Sequence, residues 1–277
     1  MAGEEIIDVE PARSPKKSGW LAETARFIVV LFLLAYVLRA FIVAPFNIPS
    51  PSMLPRMLAG DYLLVAKWPY GYSRYSFPFG LLSFDGRYPG GSPTRGDIIV
   101  FRFPGKDEDY VKRLIGLPGD QIQMRGGMLY INGDAVPKVR IADFLLPVSP
   151  NSPCPPDRPN VRTITTSSGQ QLCSYRRYRE TLPEGRSYEV LDEGDSPLDN
   201  TPVYLVPEGH YFMMGDNRDD SEDSRVPRAL GGVDMLPRDN LIGRSLITFY
   251  STDGSAIWVK PWTWFRATRW HRIGGTY

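Results

Sequence analysis

Histidine and cysteine are both scarce in this chain, at two residues each among 277. Neither His210 nor His271 lies in a catalytic setting, so nothing supports a nucleophile activated by imidazole. Cys154 and Cys173 fall in a Pro/Ser-rich stretch without CxxC spacing, which argues against a metal or redox motif. In an exported domain they could pair as a disulfide; two unrelated thiols is the other reading. Charge of one sign is also missing. Lysine plus arginine number 32 against 31 aspartate plus glutamate, so no global field directs the chain to nucleic acid. No internal repeat is apparent.

Proline and glycine are plentiful, at 26 each, and punctuate short segments rich in Val, Ile, Tyr and Phe. That pattern predicts a β-rich body. Asp61–Ala66 and Asp97–Phe101 read as strands, each following a glycine, and Met128–Ile131 runs into the hairpin signal Asn132-Gly133. Strand character returns at Tyr211–Met214 and Leu241–Tyr250. An aromatic loop spans Tyr70 to Phe84, and residues 137–207 read as an inserted, loop-rich subdomain.

The longest apolar run is Phe27–Leu38; beyond Arg39 it resumes to Ala44, where Pro45 stops a helix. Eighteen helical residues span roughly 27 Å, close to a bilayer core. Arg39 can snorkel toward the headgroups. The run is apolar all round, which disfavours a striped core helix. A cleaved targeting signal has the same basic-then-apolar order, but no clean A-x-A site follows and Pro45 directly succeeds Ala44. A retained anchor over 20–44, after a disordered cytoplasmic tail at 1–19, is the expectation. Arg13, Lys16 and Lys17 precede the span and only Arg56 follows within fifteen residues, which predicts a single pass with the N-terminus inside. Trp258, Trp262, Trp264, Phe265 and Trp270, interleaved with Lys260, Arg266 and Arg269, suit a membrane–water interface, with one or two rings expected to fill the core.

Three segments could carry chemistry. In Pro49-Ser50-Pro51-Ser52-Met53 the prolines hold the chain extended and remove backbone donors around Ser52. A plain linker between membrane and domain reads equally well. Lys112 shares a strand face with Tyr110, while Val111 and Arg113 share the other. Burial could lower its pKa into the range of a general base; a surface lysine is the alternative. Gly215–Arg225 is dense in carboxylates but fails the calcium-loop pattern, with Arg218, Ser221 and Pro227 at ligand and glycine positions. Its arginines instead suggest internal ion pairs shaping a loop, from which Ser221 or Ser224 could orient the lysine amine.

With these segments in order, the chain resembles the bacterial type I signal peptidases. The stretches that carry it are Arg39-Ala40-Phe41 through Ser52-Met53-Leu54-Pro55, Gly60-Asp61-Tyr62, Arg95–Phe101, Asp109–Asp120, Gly215-Asp216-Asn217-Arg218 through Asp223-Ser224-Arg225, and Arg272-Ile273-Gly274-Gly275. Residues 137–207 match poorly. The resemblance implies a mainly β fold: an N-terminal transmembrane helix, then an antiparallel β catalytic core (45–136 and 208–277) with an inserted second β subdomain. It implies Ser52 as nucleophile, Lys112 as general base, and an oxyanion hole from the Ser52 N–H and the Ser50 hydroxyl. Ser221 would hydrogen-bond the Lys112 amine, and Asp216, Arg218, Asp223 and Arg225 would build the supporting loop. Phe46, Ile48, Pro49, Met53, Met57, Tyr110 and Val111 would line the substrate cleft. No metal or organic cofactor is implied. The implied partners are signal peptides of secretory precursors, the lipid bilayer and the export translocon. The implied location is the bacterial inner membrane, with the catalytic domain on the periplasmic face. Rival readings are a processing enzyme with one narrow client, a self-cleaving repressor, and an inactive exported scaffold that binds extended peptides.

Overall fold

A computed structural model describes residues 19–77, 84–88 and 90–277. Residues 1–18 of the expected tail at 1–19, and Phe79, Leu81 and Leu82 of the aromatic loop, lie outside the described residues. The chain divides into two compact units, 1–37 and Leu38–Tyr277.

Helix α1 (Trp20–Val37) exposes apolar side chains along its whole length and continues as a short π-helix, Leu38–Ile42. Together, Trp20–Ile42 is long and apolar enough to cross a membrane. The span ends before the expected Ala44. Val43, Ala44 and Pro45 instead open strand β1 (Val43–Asn47), where Ala44 is buried. Pro45 therefore does not stop the helix. It sits in the edge strand of a sheet, where a residue without an N–H costs no ladder bond.

Among the described residues the largest sheet has seven strands. Beside β1 lies β2 (Asp61–Ala66), then β15 (Leu241–Ser251), β3 (Ile98–Arg102), β4 (Asp109–Gly116), β13 (His210–Met214) and β14 (Leu236–Pro237), with every neighbouring pair antiparallel. Strand β3 reads Ile-Ile-Val-Phe because both its faces are buried. Ile98 and Val100 pack with Met53, Met57, Leu63 and Val111; Ile99 and Phe101 pack with Leu114, Tyr211 and Met213. Repeated register shifts along β15 mark bulges that bend the sheet.

A second sheet joins β5 (Gln121–Arg125), β6 (Met128–Ile131), β7 (Asp134–Ala135) and β12 (Tyr204–Leu205). Asn132 and Gly133 turn β6 into β7 with φ of 55° and 89°, as a tight hairpin of this kind requires. Residues 137–207 are richer in strands than expected. β8 (Lys138–Pro147), β9 (Val161–Thr165), β10 (Gln171–Thr181) and β11 (Ser187–Leu191) form a third sheet, both β8 and β9 pairing with β10. One face of this sheet is largely open to solvent, so charged and polar residues interrupt the hydrophobic alternation that would have marked the strands. Cys154 and Cys173 are joined in a disulfide between the loop after β8 and strand β10.

The C-terminal tryptophans also depart from expectation. Trp258, Trp262, Trp264, Phe265 and Trp270 are all exposed, and none fills the core. Helix α2 (Pro261–Ala267) turns only Ala267 inward, and the rings pair with one another instead, as in Trp258–Trp264 at 5.7 Å and Phe265–Trp270 at 4.7 Å.

Because β1 belongs to the sheet, deletion of residues 1–42 should leave a cooperatively folding β body. Deletion through Asn47 should strip the partner from β2 and lower the thermal midpoint by at least several degrees. Circular dichroism melts of the two truncations check this; equal midpoints would contradict it.

Candidate active site

Strand β1 leads through Ile48 and Pro49 directly to Ser50 and Ser52, on a segment of turns packed beneath the sheet edge. Ile48 N–H donates to the Asp61 carbonyl and Gly60 N–H to the Ile48 carbonyl, pinning this segment to the start of β2. Met53 and Met57 are fully buried just beyond, in the cluster that holds Ile48, Val100 and Val111. Ser52 is thus anchored on both sides by apolar packing while its hydroxyl points into a groove.

Lys112 enters that groove from the middle of β4, paired across the sheet with Ile99. Its ammonium donates to Ser52 Oγ at 2.6 Å, and Ser50 Oγ lies 3.2 Å from Ser52 Oγ. Both Ser52 and Lys112 are buried, at 5% and 3% exposure. Burial lowers the Lys112 pKa from 10.5 to about 8, against the opposing pull of Asp223, Glu222 and Asp220. The Tyr110 ring lies 5.6 Å from the Lys112 ammonium, on the shared strand face. Among the described residues the Ser52 backbone N–H has no acceptor. An acceptor-free N–H and a second hydroxyl beside a serine paired with a lysine can stabilise a developing oxyanion.

The surrounding cavity has a volume of about 710 Å³. Phe46, Ile48, Pro49, Tyr110 and Val111 line it, as do Ser50, Ser52, Lys112 and Ser221. Met53 and Met57 do not; they support it from behind. The rim also carries Glu108, Asp109, Asp219, Asp220 and Glu222, which sequence reasoning did not place there.

The loop 215–225 closes the groove through a chain of buried ion pairs. Asp223 accepts from Arg225 Nε at 2.9 Å and Nη2 at 2.8 Å, and from the Gly215 N–H at 3.0 Å. Burial pushes the Asp223 pKa up, but the Arg225 charge and these donors outweigh it and hold the carboxyl below its ordinary range. Arg225 Nη2 reaches the Arg218 carbonyl at 2.6 Å. Arg113 grips Asp216 with two bonds, of 2.7 and 2.6 Å. Arg218 grips Glu180 of β10 at 2.8 and 2.5 Å, and the Tyr188 hydroxyl of β11 donates to the same carboxylate at 2.7 Å. Asn217 N–H then donates to the Ser52 carbonyl at 3.1 Å, carrying the network to the serine itself.

Glu180, Tyr188 and Arg113 were missed as supporting groups. Glu180 sits within 137–207, and nothing in its local sequence shows that Arg218 lies opposite. Ser221 corrects another expectation. Among the described residues its buried hydroxyl has no hydrogen-bond partner, and the Lys112 bond runs to Ser52. Ser224, the alternative, accepts from the Met213 N–H at 2.9 Å. Among the described residues no group of three His, Cys, Asp or Glu side chains could hold a metal ion.

Gly215 explains the tightness of the loop. A Cβ there would meet the Ser221 side chain and lie 2.6 Å from the Ser52 carbonyl oxygen. Gly215→Ala should therefore shift Ser52 and lower kcat/KM by about 100-fold, since displacements near 1 Å cost that much. Arg218→Met should act by another route, leaving Glu180 buried and unpaired at a cost of about 3–5 kcal/mol. Peptide-cleavage kinetics beside thermal melts separate the two; a Gly215→Ala enzyme of normal kcat/KM would contradict this packing.

A family model described as signal peptidase, peptidase S26, matches residues 21–250. The chain is 35% identical over 240 residues to a signal peptidase I of Rickettsia typhi, covering 83% of this chain and 80% of that one. A signal peptidase I of Rickettsia prowazekii is 36% identical over 229 residues, covering 79% and 76%. A crystal structure of a signal peptidase I from Enterococcus faecalis V583 aligns at 25% identity over 56% of this chain and 97% of that one, at a TM-score of 0.28, too weak a superposition to bear on the fold. The extent of the family match and the identity to full-length relatives lead to one conclusion: the chain belongs to the signal peptidase family, peptidase S26.

Proposed function

We propose that the chain is a membrane-anchored serine endopeptidase that removes signal peptides from exported precursors by Ser/Lys catalysis. The observation that carries this reading is the 2.6 Å approach of a buried lysine to a buried serine inside a groove walled by Phe46, Ile48, Pro49 and Val111. A neutral Lys112 accepts the Ser52 proton as Ser52 Oγ attacks the scissile carbonyl carbon. The tetrahedral oxyanion accepts from the Ser52 N–H and the Ser50 hydroxyl. The Lys112 ammonium then protonates the leaving amine, and the acyl group remains as a Ser52 ester. Water, deprotonated by Lys112, attacks that ester, and collapse returns the proton to Ser52 Oγ. Asp216, Arg218, Asp223 and Arg225 touch no reacting atom; they are positioning residues that hold the loop against Ser52.

In a precursor-cleavage assay, Ser52→Ala and Lys112→Ala should each lower kcat by at least about 1,000-fold, and the double variant should be scarcely worse, because nucleophile and base act as a unit. The wild-type rate should rise with pH and level off above about 8, as the lysine becomes neutral. Lys112→Arg should stay inactive at every pH tested, since a guanidinium does not deprotonate. Turnover by Lys112→Ala, or a rate independent of pH from 6 to about 9, would refute the dyad.

The groove also bears on specificity. A substrate strand laid beside Asp109–Lys112 turns alternate side chains toward the enzyme, so the residues at −1 and −3 from the cut face inward together. Phe46, Ile48 and Val111 wall those positions, and Met53 and Met57 block any deepening beneath. Small residues should be preferred at both. In a peptide series, Ala→Leu at −1 should lower kcat/KM by about 100-fold or more through displacement of the carbonyl, whereas −2 should tolerate either. Free acceptance of leucine at −1 would overturn this cleft assignment.

A further inference from the structure

A second cavity, of about 560 Å³, opens where the apolar helix Trp20–Ile42 gives way to β1. Arg39, Lys67, Arg74 and Arg102 line it, with Asp107 and Asp109 as the only carboxylates among the described residues. Both carboxylates are engaged by Arg102, Asp109 at 2.7 Å and Asp107 in closer contact. Among the described residues, Arg39, Lys67 and Arg74 remain without an acidic partner.

Lys67 is the telling one. It follows β2 directly and is buried, at 3% exposure. Its ammonium has three donors, of which one is used, toward the Ser76 carbonyl. Among the described residues no carboxylate lies within ion-pair distance. A buried charge is ordinarily paired, because desolvation without a counter-ion is costly. Burial, reinforced by the nearby Arg39 and opposed by Asp109, lowers the Lys67 pKa from 10.5 to about 8. Among the described residues, cations gather around a cavity and the most buried of them, Lys67, has no ion-paired carboxylate.

The position names the occupant. Arg39 lies three residues before Ile42, at the end of the span. Beside it Phe41 packs edge-on against Tyr72 at 5.4 Å and Phe77 at 5.3 Å, an amphipathic cluster of the kind found at headgroup level. Arg74 presents its guanidinium from the same loop, stacked on Tyr75 at 4.8 Å.

We propose that this cavity binds a phosphate group, taken from the headgroup of an anionic phospholipid, with Arg39, Lys67 and Arg74 as its donors. A guanidinium fork and an ammonium suit phosphate oxygens, and basic pockets at a span's end bind anionic headgroups in this way. Net negative lipid fits better than zwitterionic lipid, whose own cation would meet three more. The bound phosphate would complete Lys67 and fix the segment through which β1 runs toward Ser52.

The test uses the full chain in dodecyl maltoside, with native mass spectrometry counting retained lipid as phosphatidylglycerol or phosphatidylcholine is added. Phosphatidylglycerol should be held at least about tenfold more tightly, the scale of one charge-assisted bond. Arg39→Gln and Arg74→Gln, both at exposed positions, should each lower its retention about tenfold, as should Lys67→Met if it folds. Arg266→Gln, a basic position away from the cavity, should not. Acetylation of Lys67, followed by peptide mass spectrometry, should slow when phosphatidylglycerol is bound. Equal retention of the two lipids, or an Arg266→Gln effect matching the cavity variants, would overturn the site. Slowing of Lys67 acetylation by inorganic phosphate at the same concentration as effectively as by phosphatidylglycerol would overturn the lipid as its source.

Discussion

Everything at the candidate active site depends on removing one ammonium group from water. In the proposed dyad Lys112 can take the Ser52 proton only when neutral, and its unperturbed pKa would keep it charged at any physiological pH. The protein solves this by burial in a sheet both of whose faces are covered, so that β4 carries the side chain inward with no route to solvent except the groove itself. Carboxylates are near enough to oppose the effect, yet the ones on the rim are left partly exposed and the buried one, Asp223, is already committed to Arg225. Desolvation wins because the acid charges that could cancel it are either screened or spent.

That commitment of Asp223 is part of a wider design. Arg113–Asp216, Arg218–Glu180 and Arg225–Asp223 are each nearly or wholly buried. Buried pairs of this kind add little net stability, but breaking one is expensive. Their consequence here is positional. They tie the 215–225 loop to β4 on one side and to β10 on the other, and the loop in turn holds the Ser52 carbonyl. The third sheet therefore reaches Ser52 through Glu180 and Arg218, although no residue of that sheet lines the groove.

The same accounting of charge distinguishes the two cavities. In the groove of Ser52 a single cation sits among acids, and burial lowers its pKa. In the cavity at the end of the span several cations surround a buried lysine that has no acid of its own. The first arrangement favours a neutral amine and the second calls for an anion, and the two are linked in the chain by the few residues of β1.

The local sequence determined a good deal. Alternation and turn chemistry placed β2, β3, β13, β15 and the Asn132-Gly133 hairpin, because strands buried on a face and turns with positive φ leave marks within a few residues. The apolar run revealed a helix able to span a membrane, and ordered motifs brought Ser50, Ser52 and Lys112 forward as candidates. Other features left no such mark. The end of the helix was misplaced because Val43 and Ala44 are apolar for a different reason, burial in the sheet. The strands of 137–207 were hidden by their solvent-facing residues. Glu180 and Tyr188 look like ordinary surface positions until folding brings Arg218 against them, and the methionines behind the groove cannot be told from those that would line it. Proximity between residues sixty or more positions apart, and the desolvation it creates around Lys112, exist only once the chain has closed on itself. Those belong to the tertiary structure, because the free energy of a charge is set by what surrounds it in space rather than in sequence.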